Sequence, residues 1–173
     1  MSMRDSGAVR PHPLNSVSLQ AGPPPTGRPL IGLHDYGRLE IAAFEHLDML
    51  SPMRPRIAKL LAEARVVPGN EIPADVVTLG SIVRYRVDGE RLERRLLTLG
   101  REYAPNDQYV NVLTPVGLAL LGRRPGETVT AATFEGRALS ISIVALDHQP
   151  EAAARTREAE PDGDHDGNGP EAA

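Results

Sequence analysis

The residues best equipped for chemistry are few. Glu45 and Asp48 stand three apart at the end of an apolar-periodic stretch, a spacing that puts two carboxylates on one helix face within reach of a divalent cation. Ordinary solvation of a helix face explains the same pair. Arg54, Arg56 and Lys59 follow closely and make the intervening tip, SPMRPR, basic. The five histidines, at 12, 34, 46, 148 and 165, form no trio at ligand spacing. Asp162-Gly-Asp164-His-Asp166-Gly167 matches the opening of a calcium loop, but position twelve, where a bidentate Glu is needed, is Ala173. GRRPGE at 122–127 lacks the Gly-Lys-Ser/Thr ending of a phosphate loop and follows a helical pattern instead of preceding one. No Ser lies in a nucleophile elbow, and the absence of Cys removes thiol chemistry, disulfides and Cys-ligated zinc. These residues predict no catalytic centre, no metal site and no cofactor.

Positioning therefore matters more than reactivity, and one stretch dominates it. Tyr109–Glu127, YVNVLTPVGLALLGRRPGE, reads as a short strand, a turn, a two-turn helix and a second turn. Val110 and Val112 alternate with Asn111 as in a half-buried strand. Thr114 suits an N-cap, Pro115 the first helical position, and Gly122 the left-handed residue beyond the helix end. Val116, Leu118, Ala119, Leu120 and Leu121 leave that helix apolar nearly all round, so it must pack against a sheet.

Upstream, Leu33, Tyr36, Ala43, Phe44, Leu47 and Leu50 recur at helical spacing, with Asp35 as candidate N-cap. Ser51-Pro52-Met53-Arg54-Pro55 breaks the pattern, which resumes at Ile57, Leu60, Leu61 and Ala64. Two helices so joined predict an antiparallel hairpin. Pro68-Gly69-Asn70 reads as a linker. From Val76 the period becomes two: Val83, Tyr85 and Val87 oppose Arg84 and Arg86, Asp88-Gly89 makes a hairpin turn, and Arg91–Leu99 returns. Thr128–Thr133 and Ala138–Leu146 form a second hairpin about Glu135-Gly136. The expected fold is α+β, with a helical hairpin followed by a largely antiparallel sheet of about five strands and one short helix. The expected divisions are a disordered leader (1–30), the hairpin (31–67), the sheet domain (68–148) and a disordered acidic tail (149–173).

Formal charge follows these divisions: +2, 0, −1 and −5 in that order. The ordered part is nearly neutral and lacks the basic stripe of an autonomous nucleic-acid binder. No secretory core or eighteen-residue apolar span is present, which predicts a cytoplasmic protein with no membrane partner.

Val76-Val-Thr-Leu-Gly-Ser-Ile-Val, VLTPVGLALLG and Arg-x-Gly-Glu at 124–127 together resemble the C-terminal domain of the Gre transcription elongation factors. Within that superfamily the chain looks similar to the short Gre-like regulators of nucleoside diphosphate kinase. The resemblance covers about Leu33 to Leu146. It implies an FKBP-like domain that docks on RNA polymerase at the rim of the secondary channel, with a coiled-coil hairpin pointing toward that channel. The docking role carries over to Thr114, Pro115, Val116 and Gly117; Leu113 replaces an Asp of the cleavage-stimulating factors.

The tip departs from those factors, in which acidic residues help hold a catalytic magnesium. Here Asp48 is accompanied by Arg54, Arg56 and Lys59, and cations are electrostatically wrong for recruiting a metal ion. Helices of about sixteen residues reach roughly 25 Å at most. The expectation is a non-enzymatic, monomeric regulator that competes with Gre factors without stimulating transcript cleavage, touching nucleic acid only through the polymerase. Two alternatives stand beside it: a cleavage factor using Glu45 and Asp48, and an indirect regulator of nucleoside diphosphate kinase and nucleotide pools. Too few aromatics are present to line a prolyl-isomerase pocket.

Overall fold

The computed structural model describes residues 27–100 and 108–159. Strand β1 (Leu30–Gly32) leads directly into helix α1 (Leu33–Ile41), which widens into a π turn over Ala42–His46. Helix α2 (Met53–Glu63) follows, then β2 (Arg65–Val67), which pairs with β1 in parallel. A 3-10 turn at Gly69–Glu71 and an irregular buried stretch lead to the main sheet. That sheet contains β3 (Ile82–Val87), β4 (Glu93–Thr98), β5 (Tyr109–Asn111), β6 (Thr128–Ala132) and β7 (Ala138–His148) in the order β5-β4-β3-β7-β6. Helix α3 (Pro115–Leu120) lies between β5 and β6, and α4 (Pro150–Ala159) closes the described chain.

The main sheet is antiparallel except at β4–β5, which pair in parallel. Asp88 and Gly89 take φ of 50° and 74°, the left-handed pair that matches hairpin twist between β3 and β4. Val83 and Tyr85 are buried, while Arg84 and Arg94 both reach Asp147, at 2.8 and 2.7 Å. Those contacts, the Arg94 hydrogen bond first, hold the Asp147 carboxyl below its usual range. Burial pushes the Tyr85 phenol up to about 12.

Leu39 and Ile57 from the helices share one core with Val83, Leu97, Val112, Leu120 and Ile141 from the sheet and α3. The two helices thus lie against the sheet domain as part of its core. Leu30 N–H donates to the Gly122 carbonyl and Gly122 N–H to Val77, so the β1–β2 ribbon is tied to the end of α3. Gly122 has φ +74°, and a Cβ there would sit 2.9 Å from the Leu30 backbone.

Four sequence expectations change. Asp35 does not cap α1; it lies inside the helix, 4% exposed, and accepts from Leu79 N–H at 2.9 Å. Desolvation raises its pKa, with the hydrogen bond to Leu79 opposing. The second helix starts at Met53 rather than Ile57, because Pro55 falls in the first turn, where no intrahelical N–H bond is lost. Pro68–Asn70 opens a 3-10 turn instead of a free linker.

The fourth change concerns the tail expected from Gln149. Residues 150–159 form a helix with Pro150 at its start and Arg157 in its last turn. Gln149 is buried: its amide donates to Pro73 and Val76 carbonyls and its Oε1 accepts from Ala152. Residues 1–26 and 160–173, and with them the calcium-loop match, His12 and His165, lie outside the described residues.

Candidate functional site

The start of α3 is built from the chain's own hydrogen bonds. Thr114, in extended backbone, accepts from Gly117 N–H at 3.2 Å and donates its hydroxyl to the Asn111 carbonyl at 2.7 Å. Asn111 Oδ1 accepts from Leu113 N–H and its amide donates to Gly100, which fixes the turn from the other side. Gly117 is buried, and a Cβ on it would meet the Asn111 carbonyl oxygen at 2.1 Å. Of the four residues expected to dock, Gly117 is therefore structural and Thr114 is committed to its cap. Pro115 and Val116, half-buried, offer surface.

Pro115 lines a groove of about 300 Å³ together with Leu118 and Ala119 of α3, Arg56, Lys59, Leu60 and Glu63 of α2, and Thr130–Ala132 of β6. Two sets that the sequence keeps some sixty residues apart, the α3 start and the basic residues after the first helix, thus share one surface. Arg56 is clasped there, donating to the Ala132 and Thr133 carbonyls and lying 5.4 Å over the Phe134 ring. Lys59 is exposed and pairs loosely with Glu63 at 3.9 Å.

The tip itself differs from expectation. Arg54 folds back over Phe44 at 5.5 Å and its Nη2 reaches the Phe44 carbonyl. What the turn presents outward is Met49 and Leu50, 86% and 92% exposed. Glu45 and Asp48 do not share a helix face, because the helix stops at His46 and Leu47 is extended. Asp48 Oδ1 accepts from Leu50 N–H and shapes the turn. No group of His, Asp or Glu among the described residues is arranged to hold a metal ion. No described helix is long and apolar enough to cross a membrane.

One surface escaped the sequence reading. Glu63 also borders a basic recess lined by Gly27, Arg28, Pro29 and Arg123. This recess continues, through Arg28, into a cavity of about 480 Å³ that adds Arg65, Arg124 and Glu127. Burial lowers the pKa of Arg123, which donates to the Gly27 carbonyl at 3.0 Å. The four arginines come from three separated segments, so no local run announced them.

Residues 72–148 match the family model described as "Transcription elongation factor, GreA/GreB, C-term". The Escherichia coli K12 protein named "Regulator of nucleoside diphosphate kinase" is 33% identical over 130 residues, 73% of this chain and 95% of that protein. A GreA from Roseiflexus castenholzii is 35% identical over 81 residues, 46% of this chain and 52% of that factor. Among solved structures, a GreA/GreB factor from Nitrosomonas europaea superposes with a TM-score of 0.56 at 32% identity, covering 69% of this chain and 98% of that one.

Proposed function

This chain belongs to the GreA/GreB family, and from that premise we propose that it is a regulator that binds RNA polymerase at the secondary-channel rim through the groove between α2 and α3. The carrying observation is the joining of Pro115 with Lys59 and the clasped Arg56 in one groove. The sheet domain, with FKBP-like architecture, presents that groove, and Thr114 and Gly117 set its shape from beneath. Bound there, the chain competes with Gre factors for the polymerase, and occupancy follows relative concentration and affinity.

It does so without promoting transcript cleavage. Helix α2 has 11 residues, about 17 Å at 1.5 Å each. The turn it supports offers methionine and leucine in place of paired carboxylates, and Asp48 is engaged with its own backbone. Nothing in this arrangement recruits a magnesium ion.

The test is retention of core RNA polymerase by the immobilised full chain, with and without a competing GreA. The expected result is retention that GreA displaces and that Pro115→Asp or Lys59→Glu weakens. Undiminished retention in both variants sinks the groove assignment. A cleaved transcript from backtracked complexes, lost in Glu45→Ala with Asp48→Ala, restores the cleavage-factor reading.

A further inference from the structure

We propose that the basic cavity formed by Arg28, Arg65, Arg123 and Arg124 is a docking site for the chain's own acidic segment, residues 160–173. The proposal stands apart from polymerase binding and rests on charge and reach.

The cavity brings arginines from before β1, from β2 and from the turn after α3 together around about 480 Å³. Arg28 and Arg65 are exposed and have no carboxylate partner among the described residues, whereas Arg124 lies 3.6 Å from Asp75. Glu63 and Glu127 offset part of the charge and leave the recess cationic. An occupant suited to this cavity offers carboxylates to the guanidinium groups, and an acidic peptide supplies them.

Residues 160–173 contain Glu160, Asp162, Asp164, Asp166 and Glu171 and no Lys or Arg. All of the −5 charge beyond Gln149 resides in them, because Glu151 and Glu158 are balanced by Arg155 and Arg157. The leader is the wrong sign for this cavity, with Arg4 and Arg10 against Asp5.

Helix α4 ends within chain reach of the cavity. Arg155 donates to the Gly69 carbonyl, four residues past Arg65 and thus at most about 14 Å of chain away. With four residues of helix rise from Arg155 to Ala159, the described chain ends within about 30 Å of Arg65. The fourteen residues of the acidic segment extend to about 46 Å, enough to cover that interval.

The experiment is a backbone amide comparison by NMR between the full chain and a full-length variant carrying Glu160→Gln, Asp162→Asn, Asp164→Asn, Asp166→Asn and Glu171→Gln. Expected are displaced resonances at 65–67 and 122–127. About 1 M NaCl, where the Debye length is near 3 Å, should move the unmodified chain's signals onto the variant's. Arg28→Gln with Arg65→Gln should produce reciprocal changes across 160–171 with the unfolding midpoint retained. Coincident spectra at 65–67 and 122–127 overturn the proposal. So do displacements that grow with protein concentration, which would assign the contact to a second copy. A cavity indifferent to tail neutralisation that answers to added single-stranded oligonucleotide also overturns it, in favour of a nucleic-acid surface.

Discussion

Two helix starts in this molecule share nearly the same local code, Thr114-Pro115 before α3 and Ser51-Pro52 before α2, yet their surroundings differ. Both hydroxyls accept from a backbone N–H, Thr114 from Gly117 at 3.2 Å and Ser51 from Met53 at 3.3 Å. Around Thr114 the hydroxyl also donates to Asn111, the neighbouring backbone leaves no room for a methyl at Gly117, and Leu118 and Leu120 are buried. Around Ser51 the chain presents Met49 and Leu50 to solvent. A helix-start signal thus specifies where a helix begins but not whether that place is core or contact surface.

The sharpest test of how tightly the α3 start is enclosed compares one methyl group added there with one added in the open middle of α1. Gly117→Ala places Cβ 2.1 Å from a carbonyl oxygen held in the strand-to-helix turn, and should cost about 4 kcal/mol or prevent folding. Gly37→Ala, in α1 with no atom within 4 Å of its Cβ, should stabilise by about 0.5–1 kcal/mol. Urea unfolding of the pair tests both; equal midpoints would erase the distinction drawn here.

Next in size is Asp35, the buried carboxylate that ties α1 to Leu79. Asp35→Ala leaves that N–H unpaired and should cost about 2 kcal/mol. Because burial raises its pKa in the folded state, Asp35 favours folding more once protonated, and its contribution is lost as pH rises through the folded value. Relative to Asp35→Asn, the unmodified chain should therefore gain stability as pH falls through the raised pKa toward the ordinary carboxylate range. Asp147, whose pKa is lowered by Arg94 and Arg84, works oppositely: its contribution disappears as pH falls through its folded value. A flat difference between Asp35 and its Asn variant across that range would remove the desolvation argument.

Smaller effects separate the two hydroxyls directly. Thr114→Ala should cost about 1–2 kcal/mol, since it loses both a donor and an acceptor bond, against about 0.5 for Ser51→Ala. At the bottom of the scale, Met49→Ser with Leu50→Ser should leave the unfolding free energy within about 0.5 kcal/mol of the unmodified chain's, as expected for exposed side chains. A large loss there would show that the tip is packed after all.

Much of this was legible along the chain. The Thr-Pro start, the apolar run to Leu121 and the left-handed Gly122 specify α3 because capping, φ restriction and helix-end geometry act over four or five residues. Asp88-Gly89 and the alternation of Val83 with Arg84 specify the β3–β4 hairpin for the same reason. The signal for α4 is present too, in Pro150, the alanines and Arg157, but it is short and runs straight into the acidic composition beyond it.

Local patterns could not reveal which distant groups would meet. Asp35 sits at a plausible capping position, and only packing against Leu79 makes it a buried acceptor. Arg56 reads as a free cation until the β6–β7 turn supplies two carbonyls and a ring. Arg28, Arg65, Arg123 and Arg124 lie up to 96 residues apart and form one recess only because the β1–β2 ribbon is tied to the end of α3. The sequence by itself determined the helix and hairpin starts, whose energies are spent on neighbours along the chain. The tertiary structure alone decided which charges are buried, clasped or left to face a partner, because desolvation and Coulomb energies depend on distance through space.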